Sequence, residues 1–141
     1  MRKLLLTIII ILSAWLAQAQ STRDIMLSGA VDILKTDNHS LLSKAQLGLE
    51  GNYFVKRRVA IGVGAELWTN NQKSSFVFGT RLYANDKVFF RFRGLIGAND
   101  LSIGMGYSKP IDKNLRLEGI GDYYLNGSAF ALRIGLGYVL K

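Results

Sequence analysis

The chain has no cysteine, so neither a disulfide framework nor a thiolate-held metal is open to it. A single histidine, with no GxxxxGKS-type loop and no HExxH stretch, removes the usual signatures of a phosphate cradle or a zinc hydrolase. Helical stripes are missing beyond residue 20, as are long linkers and low-complexity stretches, and one domain accounts for the chain. Acids are scarce beside bases, 10 against 18 in 141 residues, for a formal net charge of +8. That balance ordinarily puts nucleic acid or an anionic membrane among the partners. The stretch FFRFRG at 89–94, with arginines stitched between aromatic residues, is where the question is sharpest.

A long apolar run is also lacking. The one candidate, Leu4 to Leu16, is short of the about 20 residues a helix needs to span a bilayer. Arg2 and Lys3 precede it and Ala17-Gln18-Ala19 follows, the three-part layout of a secretory signal peptide. The expectation is cleavage after Ala19, with residues 1–19 a signal peptide and 20–141 the mature domain. Export takes cellular nucleic acid off the expected partners.

What is there is alternation. Apolar residues recur at every second position in eight runs, approximately 25–34, 44–55, 59–69, 75–84, 87–97, 101–108, 115–125 and 128–140, separated by Asn, Asp, Gly, Lys and Ser. Most approach the roughly 9–11 residues of a tilted membrane-crossing strand, and the short links fit consecutive antiparallel hairpins. Asn126-Gly127 is the strongest turn signal, since a type I′ turn needs positive φ at both central positions. One parity of the runs is apolar. The other holds glycines with the charges Asp32, Glu50, Glu66, Arg81, Arg91, Arg93, Arg116, Glu118, Asp122 and Arg133.

A soluble barrel or sandwich would turn the apolar parity inward, and a transmembrane barrel would turn it toward lipid. The second parity discriminates. Strand-interior glycine costs stability and suits a crowded space, and a balanced set of acids and bases suits a narrow lumen in which buried charges must pair. Arg91 and Arg93 are then lumen residues that pair with Glu50, Glu66, Glu118 or Asp122, while Phe90 and Phe92 face lipid and Phe89 is an inward exception. With both termini in the periplasm, Tyr53, Tyr107 and Tyr138 fall at the periplasmic interface and Phe76, Tyr123 and Phe130 at the outer one, as two aromatic girdles. The fold expected is all-β, an eight-stranded antiparallel up-and-down transmembrane barrel.

The eight alternating segments, the hairpin text GNYFVKRRVAIGVGAE (51–66) and its echo GYSKPIDKNLRLE (106–118) resemble the small outer-membrane β-barrel family, the OmpA/OmpX-like type of Gram-negative bacteria. The terminal strand LRIGLGYVLK is similar to the strand read by that family's barrel assembly machinery, with Gly137 and Tyr138 at matching places and Leu140 where an aromatic residue is usual. The resemblance implies an outer-membrane barrel, monomeric, surrounded by outer-membrane lipids and inserted by that machinery.

Other readings are weighed against it. His39, with Asp37 and Ser40 in the connector after Lys35, raises a lipid-modifying enzyme, but neighbours in one polar loop are ordinarily turn residues, and an acyl pocket needs an apolar lumen. Catalytic, cofactor and metal sites are expected to be absent. A small porin is a rival because glycines remove lumen volume, although Trp68, Tyr83, Phe89 and Tyr124 return some of it. A soluble ligand-binding barrel is the inside-out alternative. The basic residues Lys56, Arg57, Arg58, Lys109, Lys113 and Lys141 collect at the expected periplasmic end, where lipid phosphates or plain solvation would meet them. The expected role is a non-enzymatic envelope component with a charge-plugged lumen.

Overall fold

The structure, a computed structural model, describes residues 22–35, 46–68 and 74–141. Residues 1–19, expected to be a signal peptide, and His39 with its neighbours lie outside the described residues. Eight strands form: β1 (Ile25–Lys35), β2 (Gln46–Lys56), β3 (Val59–Trp68), β4 (Ser75–Tyr83), β5 (Val88–Ile96), β6 (Asp100–Pro110), β7 (Leu115–Tyr124) and β8 (Ala129–Leu140). Each pairs antiparallel with the next, and β8 pairs with β1 to close the barrel. The strand limits read from alternation fall within about two residues of these. No helix among the described residues is long and apolar enough to cross a membrane, which leaves a strand-spanning barrel untouched.

Alternation becomes geometry because successive side chains of a strand point to opposite faces. In β6 the burial runs without a break, Leu101, Ile103, Met105 and Tyr107 outside and Ser102, Gly104, Gly106 and Ser108 inside. Phe90 and Phe92 are outside β5 and Arg91 and Arg93 inside. Closure removes the sheet edges, and with them the unpaired backbone groups that hydrocarbon would not tolerate. Register shifts between Asp32 and Leu34 on β1 and between Phe54 and Lys56 on β2 bend the wall near its two ends.

One turn departs from expectation. The β7–β8 link is four residues, 125–128, with positive φ at Ser128 (46°) and not at Asn126 or Gly127, so it is not a two-residue type I′ turn. The reason lies in the neighbouring hairpin. Asp100 accepts hydrogen bonds from the Asn126 and Gly127 amides at 2.8 and 3.2 Å, and the Asn126 side chain donates to the Asn99 carbonyl at 2.6 Å. Those amides are held by a partner across the rim, and the chain takes a longer turn to present them.

Candidate functional site: the filled lumen

Inward side chains form three layers. At the end that carries the tight β2–β3, β4–β5 and β6–β7 turns, Met26, Phe54, Ala60, Tyr83, Phe89, Ile120 and Val139 make a buried apolar plug. Tyr83 holds it together, with ring centroids 5.6 Å from Phe54 and 5.2 Å from Phe89. Phe89 and Tyr83 are inward as their parity indicates, and they are joined there by Met26, Phe54, Ile120 and Val139, apolar residues that parity had not placed in the lumen. At the opposite end Val77, Leu95, Tyr124 and Ala131 make a smaller apolar layer.

Between them lies the ionic layer. Arg81 donates to Glu118 and to Glu50, each at 3.0 Å, and to Ser28 at 3.1 Å. Its guanidinium carbon sits 4.9 Å from the centroid of the Phe89 ring, so one face is stacked on the plug while the edge binds carboxylates. Arg91 binds Asp122 through two nitrogens, in the bidentate geometry a planar guanidinium favours. Arg93 reaches Glu66 at 2.6 Å, Glu50 at 3.1 Å and Asp122 at 3.2 Å, and donates from Nε to Ser102 at 3.2 Å. Arg133 meets Asp32 at 2.6 Å and Glu66 at 2.9 Å. The Tyr124 hydroxyl accepts from Arg133 and Arg93 and donates to Glu66, joining the two halves of the layer.

Sorted by strand, the layer draws Asp32 from β1, Glu50 from β2, Glu66 from β3, Arg81 from β4, Arg91 and Arg93 from β5, Ser102 from β6, Glu118 and Asp122 from β7 and Arg133 from β8. No two adjacent strands could build it. Isolated charges would be untenable in so dry a place; here each carboxylate faces at least one guanidinium and Glu50, Glu66 and Asp122 face two or more.

Of the ten charges read from parity, Arg116 is placed differently from the rest. It is half-buried below the plug and donates to the Ser108 hydroxyl at 2.8 Å and to the Asp86 carbonyl, in place of a carboxylate partner. It ties the β6–β7 hairpin to the β4–β5 turn. The six girdle residues are all on the outer wall, Tyr53, Tyr107 and Tyr138 toward the tight-turn end and Phe76, Tyr123 and Phe130 toward the other.

Two glycines show how tightly the layer is packed. A Cβ on Gly104 would collide with the Asp122 carboxylate, and one on Gly106 with the Phe89 ring. Two voids among the described lumen residues are about 10 Å³ each, one beside Glu50, Arg91 and Arg93 and one beside Arg81, Glu118 and Arg133. Each has room for about one water molecule. Among the described residues no group of three or more His, Cys, Asp or Glu side chains is placed to hold a metal ion.

The geometry can be set beside known proteins. Neither a protein-family model nor a curated protein matches the sequence. Among solved structures, a chain from the de novo design of transmembrane β-barrels superposes at a TM-score of 0.66 with 18% identity, over 87% of this chain and 100% of the designed one. The solution structure of the de novo designed TMB2.3 gives 0.61 and 18%, over 88% and 98%. The KdgM porin gives 0.38 and 9% over 84% and 99%, a level at which neither fold nor function is fixed. The fold is thus the eight-stranded closed antiparallel barrel that those designs build as transmembrane barrels.

Proposed function

We propose that the protein is an integral outer-membrane barrel of a Gram-negative bacterium, of the OmpA/OmpX-like kind, that serves as a non-enzymatic, non-conducting component of the envelope. The observation that carries this reading is the inversion of the two faces. Large apolar side chains cover the outside, from Leu117 at 37% exposed to Ile96 at 58%, while Arg91, Arg133, Glu66, Glu118 and Asp122 are buried within. In water that arrangement would leave an apolar surface far beyond the few hundred Å² a soluble monomer tolerates; in a bilayer it is the stable one.

Against a porin stand the three packed layers and the water-sized voids. Against an enzyme stands the engagement of the described lumen carboxylates by guanidinium groups, which leaves none of these carboxylates free to act as a general base. The termini at the tight-turn end are periplasmic in this reading, residues 1–19 are the cleaved export signal, the chain is monomeric, and its last strand, which seals against β1 from Leu140 at Ile25 onward, is the segment the assembly machinery reads.

Fractionation of expressing cells, with the outer-membrane fraction run on a denaturing gel before and after boiling, tests the reading. A band in that fraction whose mobility changes only on boiling is expected. A soluble periplasmic band with no heat shift would overturn it.

A further inference from the structure

The outer wall is uneven. A groove of about 530 Å³ crosses β3 to β6, and a second of about 540 Å³ crosses β7, β8, β1 and β2. The pairing registers say what runs along each. Around the second groove, Lys109 stands opposite Leu117, Leu117 opposite Leu136, Leu136 opposite Gly29 and Gly29 opposite Leu49. The row beside it is Tyr107, Gly119, Ile134, Val31 and Leu47. Gly29 and Gly119 supply no side chain; a Cβ added to Gly119 meets nothing within 4 Å, whereas one on Gly29 would meet the Leu49 side chain at 3.3 Å, so the wall is open at Gly119 and partly covered by Leu49 at Gly29.

The groove also has a direction. Lys109 is one residue from the end of β6, whereas Leu49 lies in the middle of β2, so the row leaves a charged rim and runs obliquely into the centre of the wall. Four inter-strand spacings make about 19 Å, comparable with the roughly 15 Å half-thickness of a hydrocarbon core. The rim end carries two exposed cations, Lys109 on the wall itself and Lys113 in the adjoining turn, with Asp112 between them, whose carboxylate accepts the backbone N–H of Lys113. Tyr107 and Tyr138, at headgroup level, flank the entrance.

The first groove has the same size, and its basic neighbours stand off its row: Lys56 and Arg57 are exposed in the β2–β3 hairpin beyond Tyr53. Its central row runs Tyr53, Ile61, Thr80, Phe92, Ile103, Tyr123, from one girdle to the other with no basic residue on it. Two hollows of equal volume in one wall therefore differ in where the cation stands: Lys109 is on the row that lines the second, and no basic residue is on the row through the first.

We propose that the groove across β7, β8, β1 and β2 is a binding site for an anionic phospholipid, with one acyl chain laid along Leu117, Leu136 and Gly29 and the phosphate on Lys109 and Lys113. The site rests on the membrane reading above. The other groove, with no basic residue on its row, favours the anionic lipid less. Each cation near the headgroup favours the anionic lipid about fivefold.

A tryptophan placed in each groove reads the occupant directly. Ile134→Trp and Thr80→Trp, each with Trp68→Phe, are purified from membranes and reconstituted in phosphatidylcholine vesicles containing either phosphatidylglycerol or phosphatidylcholine brominated on the acyl chains. Stronger quenching of Ile134→Trp by the brominated phosphatidylglycerol, a smaller preference at Thr80→Trp, and loss of the Ile134→Trp preference on adding Lys109→Gln with Lys113→Gln are expected. Equal quenching by both lipids at Ile134→Trp, in protein that still shows its heat-dependent gel shift, would overturn the site and leave the membrane barrel standing. Protein that does not enter the vesicles at all would overturn both.

Discussion

The two faces of one strand make the most informative comparison in this molecule. On β5, Phe90 and Phe92 look outward and Arg91 and Arg93 inward, so residues 3.3 Å apart along the chain, on the scale of a strand's rise, meet opposite solvents. The outer face is stabilised by bulk: its contacts are many, weak and interchangeable, and only hydrophobicity is asked of each position. The inner face is stabilised by a few charge-assisted contacts that are specific, strong and mutually dependent. In the membrane reading, a barrel of this size thus puts its adaptability outside and its specificity inside, the reverse of a soluble domain.

The sharpest way to break that contrast is charge reversal in the lumen. Arg93→Glu places a fourth carboxylate among Glu50, Glu66 and Asp122 and removes the cation that holds them, and is expected to destabilise by about 3–5 kcal/mol or to block folding, read by urea unfolding in lipid vesicles. Phe92→Arg, one residue away, puts the charge into lipid at mid-wall and is expected to lose about 2–4 kcal/mol in the same assay, falling to about 0–1 kcal/mol for Tyr138→Arg at the rim. If Phe92→Arg were harmless, the apolar face would not be toward lipid.

Glycine separates the faces more gently. Gly104→Ala, which forces the Asp122 carboxylate aside, is expected to lose about 1–3 kcal/mol, whereas Gly119→Ala, with open space around it, is expected to gain about 0.4–1 kcal/mol by restricting the unfolded chain. At the loop end, Asp100→Ala removes the acceptor shared by two hairpins and is expected to cost about 1 kcal/mol, seen as faster amide hydrogen exchange at Asn126 and Gly127. Smallest of all, Arg57→Glu in an exposed turn is expected to stay within about 0.5 kcal/mol of the parent.

The strands could be read from the sequence because their period is two and their neighbours are turn residues. The lumen was legible where chemistry differed between parities, as at Phe90-Arg91-Phe92-Arg93. It was illegible where both parities are apolar. Tyr53-Phe54-Val55 and Tyr138-Val139-Leu140 hide an inward aromatic or aliphatic residue between outward ones, and so Phe54 and Val139 gave no signal of their own, whereas Phe89 was read as inward from its parity with Arg91 and Arg93. Ion-pair partners were out of reach for another reason. Arg93 and Glu66 are 27 positions apart and on strands that do not pair, so only closure of the barrel brings them together. The same holds for the β7–β8 turn, whose local sequence argued for one geometry while Asp100, 26 positions away from Asn126, imposed another.

Because the ionic layer takes a member from every strand, it has no meaningful partial form. A sheet of seven strands carries most of the same arginines and carboxylates but holds them on an open surface, where water must solvate them. Closure by β8 against β1 brings Arg133 to Asp32 and turns that wet surface into a sealed interior. Dehydration of the lumen therefore belongs to the last moment of assembly, and the reverse holds for unfolding: opening the β1–β8 seam floods the whole interior at once. A barrel built this way should lose its structure in a single concerted step.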